Sequence, residues 1–173
     1  MKPQVAILMG SDSDLKVMSK AAEVLENFKV PYEITVLSAH RTHKATHDFA
    51  STASKKGFKA IIAGAGGAAH LAGVMAANTT LPVIGVPIDS SPFDGLDSLL
   101  ATVQMPSGIP VATVGVDSAK NAGLLAVEIL ATGDKKLAKK MIAYKKNMAK
   151  KNLAKGTKLK KLGYRRYLEN NKK

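Results

Sequence analysis

Three short words in the sequence gather side chains suited to chemistry. In Ser38-Ala39-His40-Arg41, a histidine stands beside an arginine. Imidazole titrates near neutrality and is the commonest general acid and base. A guanidinium offers a planar fork of donors to a phosphate or a carboxylate. In Gly10-Ser11-Asp12-Ser13-Asp14, the glycine permits a tight exit from a strand. Ser11 or Ser13 is placed to cap a following helix, whose first N–H groups also attract phosphate. Helix capping alone is the plainer use of such residues. In Gly64-Ala65-Gly66-Gly67-Ala68-Ala69-His70, side chains are stripped away over several positions. A small ligand can approach the backbone closely there; tight helix–strand packing would demand some of the same glycines. His43 and His47 lie one helical turn apart, a spacing able to hold a metal, but no acidic motif accompanies them. They read as exposed helix residues.

The elements that must position these words alternate in type. Short apolar runs at 5–9, 32–37, 60–63, 83–86 and 111–116 read as strands, mostly apolar on both faces. Such runs fit a parallel sheet covered by helices. The segments 14–28, 42–56, 68–78, 96–104 and 121–130 read as helices. The alternation predicts a three-layer α/β/α sandwich with right-handed crossovers and a flavodoxin-like strand order of 2-1-3-4-5. In a parallel sheet, ligands sit beyond the carboxyl ends of the strands. The three words follow the first three strands directly, so they are expected to meet at one edge. The third also fits G-x-G-x-x-A through Gly64, Gly66 and Ala69, with Asp89 near where a ribose-binding acid would stand. A nicotinamide-dependent enzyme is therefore a competing reading. Against it, the pattern follows the third strand rather than the first, and the body is short for a dinucleotide fold plus a substrate domain.

Composition narrows the classes further. With 46% hydrophobic but only 5% aromatic residues and no Trp, the core must be aliphatic. The absence of Cys excludes disulfides, thiolate zinc and a cysteine nucleophile. The apolar run near residue 5 is too short to span a membrane and leads into a Gly-Ser turn, so it reads as a strand rather than a targeting segment. The net charge of +13 is unevenly placed. Residues 1–130 hold ten Lys and Arg against eleven Asp and Glu; residues 131–173 hold sixteen against two. Three parts are expected: an α/β body over 1–133, an amphipathic C-terminal helix over 134–155 and a basic, irregular tail over 156–173. Leu137, Met141, Tyr144 and Met148 form the apolar stripe of that helix. The body carries no nucleic-acid motif, so nucleic acid is not expected as a principal partner. Binding through the tail would be a secondary, salt-sensitive property.

Six words in order resemble the class I N5-carboxyaminoimidazole ribonucleotide mutases: MGSDSD (9–14), SAHRT (38–42), AGAGGAAHL (63–71), LPVIGVP (81–87), GLDSLLATVQMPSGIPVATV (95–114) and NAGLLAVEIL (121–130). The resemblance runs from about Val5 to Leu130. A sister class that carboxylates aminoimidazole ribonucleotide directly tends to have Lys where this chain has Arg41, and a different third word. Departures from the mutase pattern are His43 and Ala72, where Pro is common, and Asp89 in place of an uncharged polar residue. The resemblance implies a cytoplasmic isomerase of purine biosynthesis that moves a carboxylate from the exocyclic nitrogen to ring carbon four. It implies His40 and His70 as catalytic residues. Ser11, Ser13, Asp14, Ser38, Arg41 and the backbone of Gly64, Ala65, Gly66 and Gly67 would bind substrate. It further implies no metal or organic cofactor, a homo-octamer with the C-terminal helix clasping a neighbour, and a separate ATP-dependent synthetase supplying the substrate.

Overall fold

The computed structural model describes residues 2–90 and 92–170. The five strands β1 (Val5–Met9), β2 (Tyr32–Val36), β3 (Ala60–Gly66), β4 (Val83–Ile88) and β5 (Ala112–Thr113) form one parallel sheet in the order β2-β1-β3-β4-β5. The expected flavodoxin-like order is the one observed. Helices α1 (Leu15–Phe28), α2 (His43–Lys56), α3 (Leu71–Ala77) and α4 (Leu96–Val103) supply the four crossovers, and α5 (Ala119–Ala131), α6 (Lys135–Leu162) and α7 (Tyr164–Glu169) follow the last strand.

Strand alternation divides the core into two layers. Val5, Ile7 and Met9 face α1 and α5, together with Ile62 and Ile84. Ala6 and Leu8 face α2 and α3, together with Ile61 and Val83. All five residues of β1 are buried because neighbours flank it on both sides and helices cover both faces. Alanines and a glycine let α1 and α5 approach closely: a Cβ on Gly123 would stand 3.0 Å from the Ala21 carbonyl oxygen and 3.0 Å from Val24 Cβ. Leu137 and Met141 then close the same layer from α6, at 6% exposure each.

Four sequence expectations are corrected. β2 is not apolar and buried on both faces; it is the outer edge, and its Ile34 and Val36 are 36% and 47% exposed. The fifth strand shrinks from the expected 111–116 to two residues, since only Ala112 and Thr113 pair in register with β4, while the Val114 N–H makes one further bond to the Gly85 carbonyl at 3.0 Å. β3 continues through Gly64 and Ala65 to Gly66, paired with Val86, Pro87 and Ile88, so those residues are strand rather than turn. The C-terminal helix, expected to end near residue 155, runs on to Leu162. A helical glycine costs only about 1 kcal/mol relative to Ala, and the Ala, Lys and Leu around Gly156 are good helix formers. The last three residues of the expected tail, 171–173, lie outside the described residues. Among the described residues no helix is long and apolar enough to cross a membrane.

Candidate active site

At the carboxyl edge of the sheet, the ends of β1, β2, β3 and β4 enclose a cavity of about 330 Å³. Each wall is held by bonds that follow from its sequence.

The first wall is the turn after β1. Ser11 caps a short 3-10 turn over Asp12–Asp14: the Ser13 N–H donates to Ser11 Oγ at 3.4 Å, and the Ser11 N–H donates to Asp14 Oδ2 at 3.2 Å. Ser13 Oγ donates to Asp14 Oδ1 at 3.3 Å. Ser11, Ser13 and Asp14 all line the cavity as well, so capping and ligand access are served by the same residues. Asp14 is only 6% exposed. Burial pushes its carboxyl above the ordinary 3.8, against the opposing pull of the Ser11 and Ser13 hydrogen bonds and the Arg41 charge. Its sign for stability follows directly. Just above pH 3.8 the folded chain still holds a proton that the unfolded chain has lost, so this contribution is present at low pH and is lost as pH rises through the folded value. Asp14→Asn keeps the shape and one acceptor oxygen. Its unfolding midpoint relative to wild type is expected to move in the variant's favour between pH 4 and pH 7, read by calorimetry. The opposite trend would mean that the hydrogen bonds outweigh burial.

The second wall is the turn after β2. The buried Ser38 is its hub. Its N–H donates to Thr42 Oγ1 at 2.8 Å, while its carbonyl accepts from the hydroxyls of Thr42 at 3.0 Å and Thr46 at 3.1 Å. The Arg41 N–H and Nε donate to Ser38 Oγ at 3.1 and 3.4 Å, and Arg41 Nη2 donates to the Gly10 carbonyl. One guanidinium thus ties the second turn to the first.

The third wall is the end of β3. Ala65 and Gly66 line the cavity; Gly64 and Gly67 do not. Gly64 is small for packing: a Cβ there would overlap the Met18 sulfur on α1. Gly66 is small because Ser90, just past β4, stands against it. Gly67 makes the turn with φ +58. Since the first two glycines lie within the strand, they do not form the strand-to-helix loop that a dinucleotide site requires. Asp89, the acid of that reading, instead receives attention through its backbone, whose N–H donates to Asp117 Oδ1 at 3.1 Å.

His40, which lines the cavity, meets His70, which does not. Their Nε2 and Nδ1 atoms are 2.9 Å apart, with the ring planes at 76°. One ring donates and the other accepts. Both side chains are exposed. His43 and His47 lie on the exposed side of α2. Residues the sequence reading missed are Gly10, Ala39, Ala68, Leu71 and Ser90. Ser90 had a usable signal, since it follows the carboxyl end of the fourth strand, where the same edge rule applies.

A parallel sheet with a polar, histidine-bearing cavity at its carboxyl edge defines a small-molecule α/β enzyme. The AIR carboxylase family profile matches residues 4–151. N5-carboxyaminoimidazole ribonucleotide mutases of Pyrococcus abyssi and Thermotoga maritima are 59% and 52% identical to this chain, each over 96% of it and over 96% and 97% of their own lengths. The crystal structure of Treponema denticola PurE superposes with a TM-score of 0.83 at 33% identity, covering 91% of this chain and 99% of that one. The chain belongs to the AIR carboxylase family.

Proposed function

We propose that this protein is an N5-carboxyaminoimidazole ribonucleotide mutase, an isomerase of purine biosynthesis, with His40 as the group that moves protons. The observation that carries this reading is the His40–His70 pair, whose His40 lines a cavity walled by Ser11, Ser13, Asp14 and Arg41 on one side and by Ala65 and Gly66 on the other. The carbon–nitrogen bond of the carbamate breaks, its electrons return to the exocyclic nitrogen, and His40 delivers a proton there. Carbon dioxide leaves and stays in the pocket beside Ala65 and Gly66. Ring carbon four then forms the new carbon–carbon bond, and His40 takes the proton which that carbon loses. The imidazole ends in the protonation state in which it began, so one residue serves both transfers. His70 holds the ring in place. Arg41, with Ser11 and Ser13, anchors the phosphate or groups beside it, and Asp14 accepts from ribose hydroxyls; anchoring keeps the imidazole aligned while carbon dioxide is free. No metal or organic cofactor takes part.

The deciding experiment supplies N5-carboxyaminoimidazole ribonucleotide without bicarbonate and follows the ultraviolet absorbance of the 4-carboxy product. Rapid product formation supports the mutase. Product formed only from aminoimidazole ribonucleotide and carbon dioxide would make the protein a carboxylase instead.

The same reading makes the protein a cytoplasmic homo-octamer that works after a separate ATP-dependent synthetase. Unburied apolar side chains support assembly: Leu96, Leu100 and Val103 repeat along one side of α4 at 56%, 46% and 49% exposure. Light scattering at micromolar concentration is expected to give eight times the protomer mass.

A further inference from the structure

The catalytic reading leaves the positive charge unexplained. Twelve of the 28 residues of α6 are lysine and none is acidic. Lysines four apart on a helix repel one another, and α6 carries several such pairs, among them Lys135 with Lys139, Lys136 with Lys140 and Lys146 with Lys150. Among the described residues, only Lys145 of this helix has an ion-pair partner, Glu128 at 2.6 Å. The two other carboxylates of the C-terminal region do little to offset the charge. Asp134 is occupied by the N–H groups of Lys136 and Leu137, and Glu169 lies at the far end of α7.

The body adds to this surface. Its basic residues do not outnumber its acidic ones, yet Lys2, Lys29 and Lys59 gather at the amino-terminal edge of the sheet, lining concavities shared with Lys135, Lys136 and Lys140 at the root of α6. Lys140 Nζ is fixed there on the Phe28 carbonyl at 2.8 Å. The result is a positive surface that begins in a groove and continues along the helix. From Lys135 to Lys161 it is about 39 Å long at 1.5 Å per residue. The active-site cavity is at the opposite, carboxyl edge.

We propose that this surface binds the phosphate backbone of a nucleic acid. A duplex carries one negative charge per ~1.7 Å of axis, so its line of charge matches a long, acid-free row of lysines better than a compact anion would. The contacts available are lysines rather than base-reading groups, so binding is independent of sequence. An anionic membrane fits less well. The apolar stripe of α6 spends Leu137 and Met141 on the protein's own core and is then interrupted by Asn152 and Lys155. The exposed apolar side chains of α6 fall on two sides, Ile142 and Leu153 on one and Met148 and Leu159 on another, so no single apolar face is left to enter a lipid interface.

The test is fluorescence anisotropy with a labelled 20-base-pair DNA duplex, using the whole protein at 50 and 200 mM salt. Micromolar binding at the lower salt is expected, weakening by roughly 500-fold at the higher if about five phosphates are contacted. Two variants locate it: K59Q/K135Q/K136Q at the root and K146Q/K150Q/K151Q along the helix. Each is expected to weaken binding at least tenfold with turnover unchanged, and the corresponding Lys→Arg triples are expected to restore it. Three results would overturn the proposal: no binding at 50 mM salt, binding that neither triple weakens, or tighter binding to phosphatidylglycerol vesicles than to the duplex.

Discussion

His40→Asn is expected to lower kcat for N5-carboxyaminoimidazole ribonucleotide by roughly 10²–10⁴-fold, the range over which a positioned acid–base group acts, with KM changed far less. The asymmetry follows from how the second wall is built. Arg41 is held by Ser38 and by the Gly10 carbonyl, neither of which involves the imidazole. Anchoring therefore survives while proton transfer does not. In the proposed mechanism His70 acts through His40 as a positioning residue, across the 2.9 Å bond between the rings. His70→Ala is expected to cost less, on the order of tenfold through misplacement of the ring, and to distort the pH–rate profile. His70→Asn, whose amide can stand near the lost Nδ1, should recover part of it. Single-turnover absorbance separates the two roles. If His40→Asn raised KM and left kcat intact, His40 would be a binding group only.

Gly123→Val is expected to be the most damaging change away from the site. A side chain here meets Ala21 O at 3.0 Å and Ala21 Cα at 3.1 Å, and these are backbone atoms of α1 that cannot rotate aside. The helices must part, which opens the layer holding Val24, Leu25 and Val127. Overpacking of this kind costs about 3 kcal/mol, or roughly 6–12 °C in melting temperature for a chain of this size. Gly64→Ala is the informative contrast. Its obstacle is the flexible end of Met18 rather than backbone, so the loss should be smaller even though the overlap is greater. Calorimetry of both variants checks the order. Equal losses would show that α1 yields as readily as a methionine side chain.

The contrast between Gly64 and Gly123 also shows what is legible in sequence. The strand order and the gathering of three words at one edge could be read locally, because apolar runs and the turns behind them are neighbours in the chain. Gly64 could not. Its smallness answers to Met18, far away in sequence, and only the fold brings them together. Of the glycine word, Ala65 and Gly66 line the cavity and Gly64 and Gly67 do not. The fifth strand was overestimated for a related reason. The run 111–116 has strand composition throughout, but a strand needs continuous pairing, and the register with β4 holds only over Ala112 and Thr113. Gly156 looked like a helix end because glycine is a common stop, yet nothing after it terminates the chain's preference for helix until Gly163. The His40–His70 pair lay between these cases: both residues stood at strand ends, but their hydrogen bond needed the fold.

The end of β3 bears on how such an enzyme could change. Where a pocket wall is made of side chains, single substitutions retune its size and polarity. Here one wall is Ala65 and Gly66, backbone with almost nothing attached, and Gly66 is closed to enlargement by Ser90 and the Ile88 carbonyl. Variation on that side collides with the sheet itself. New substrate preferences must therefore arise on the side-chain walls supplied by the turns after β1 and β2, and descendants of this fold would be expected to diversify there while the strand end stays frozen.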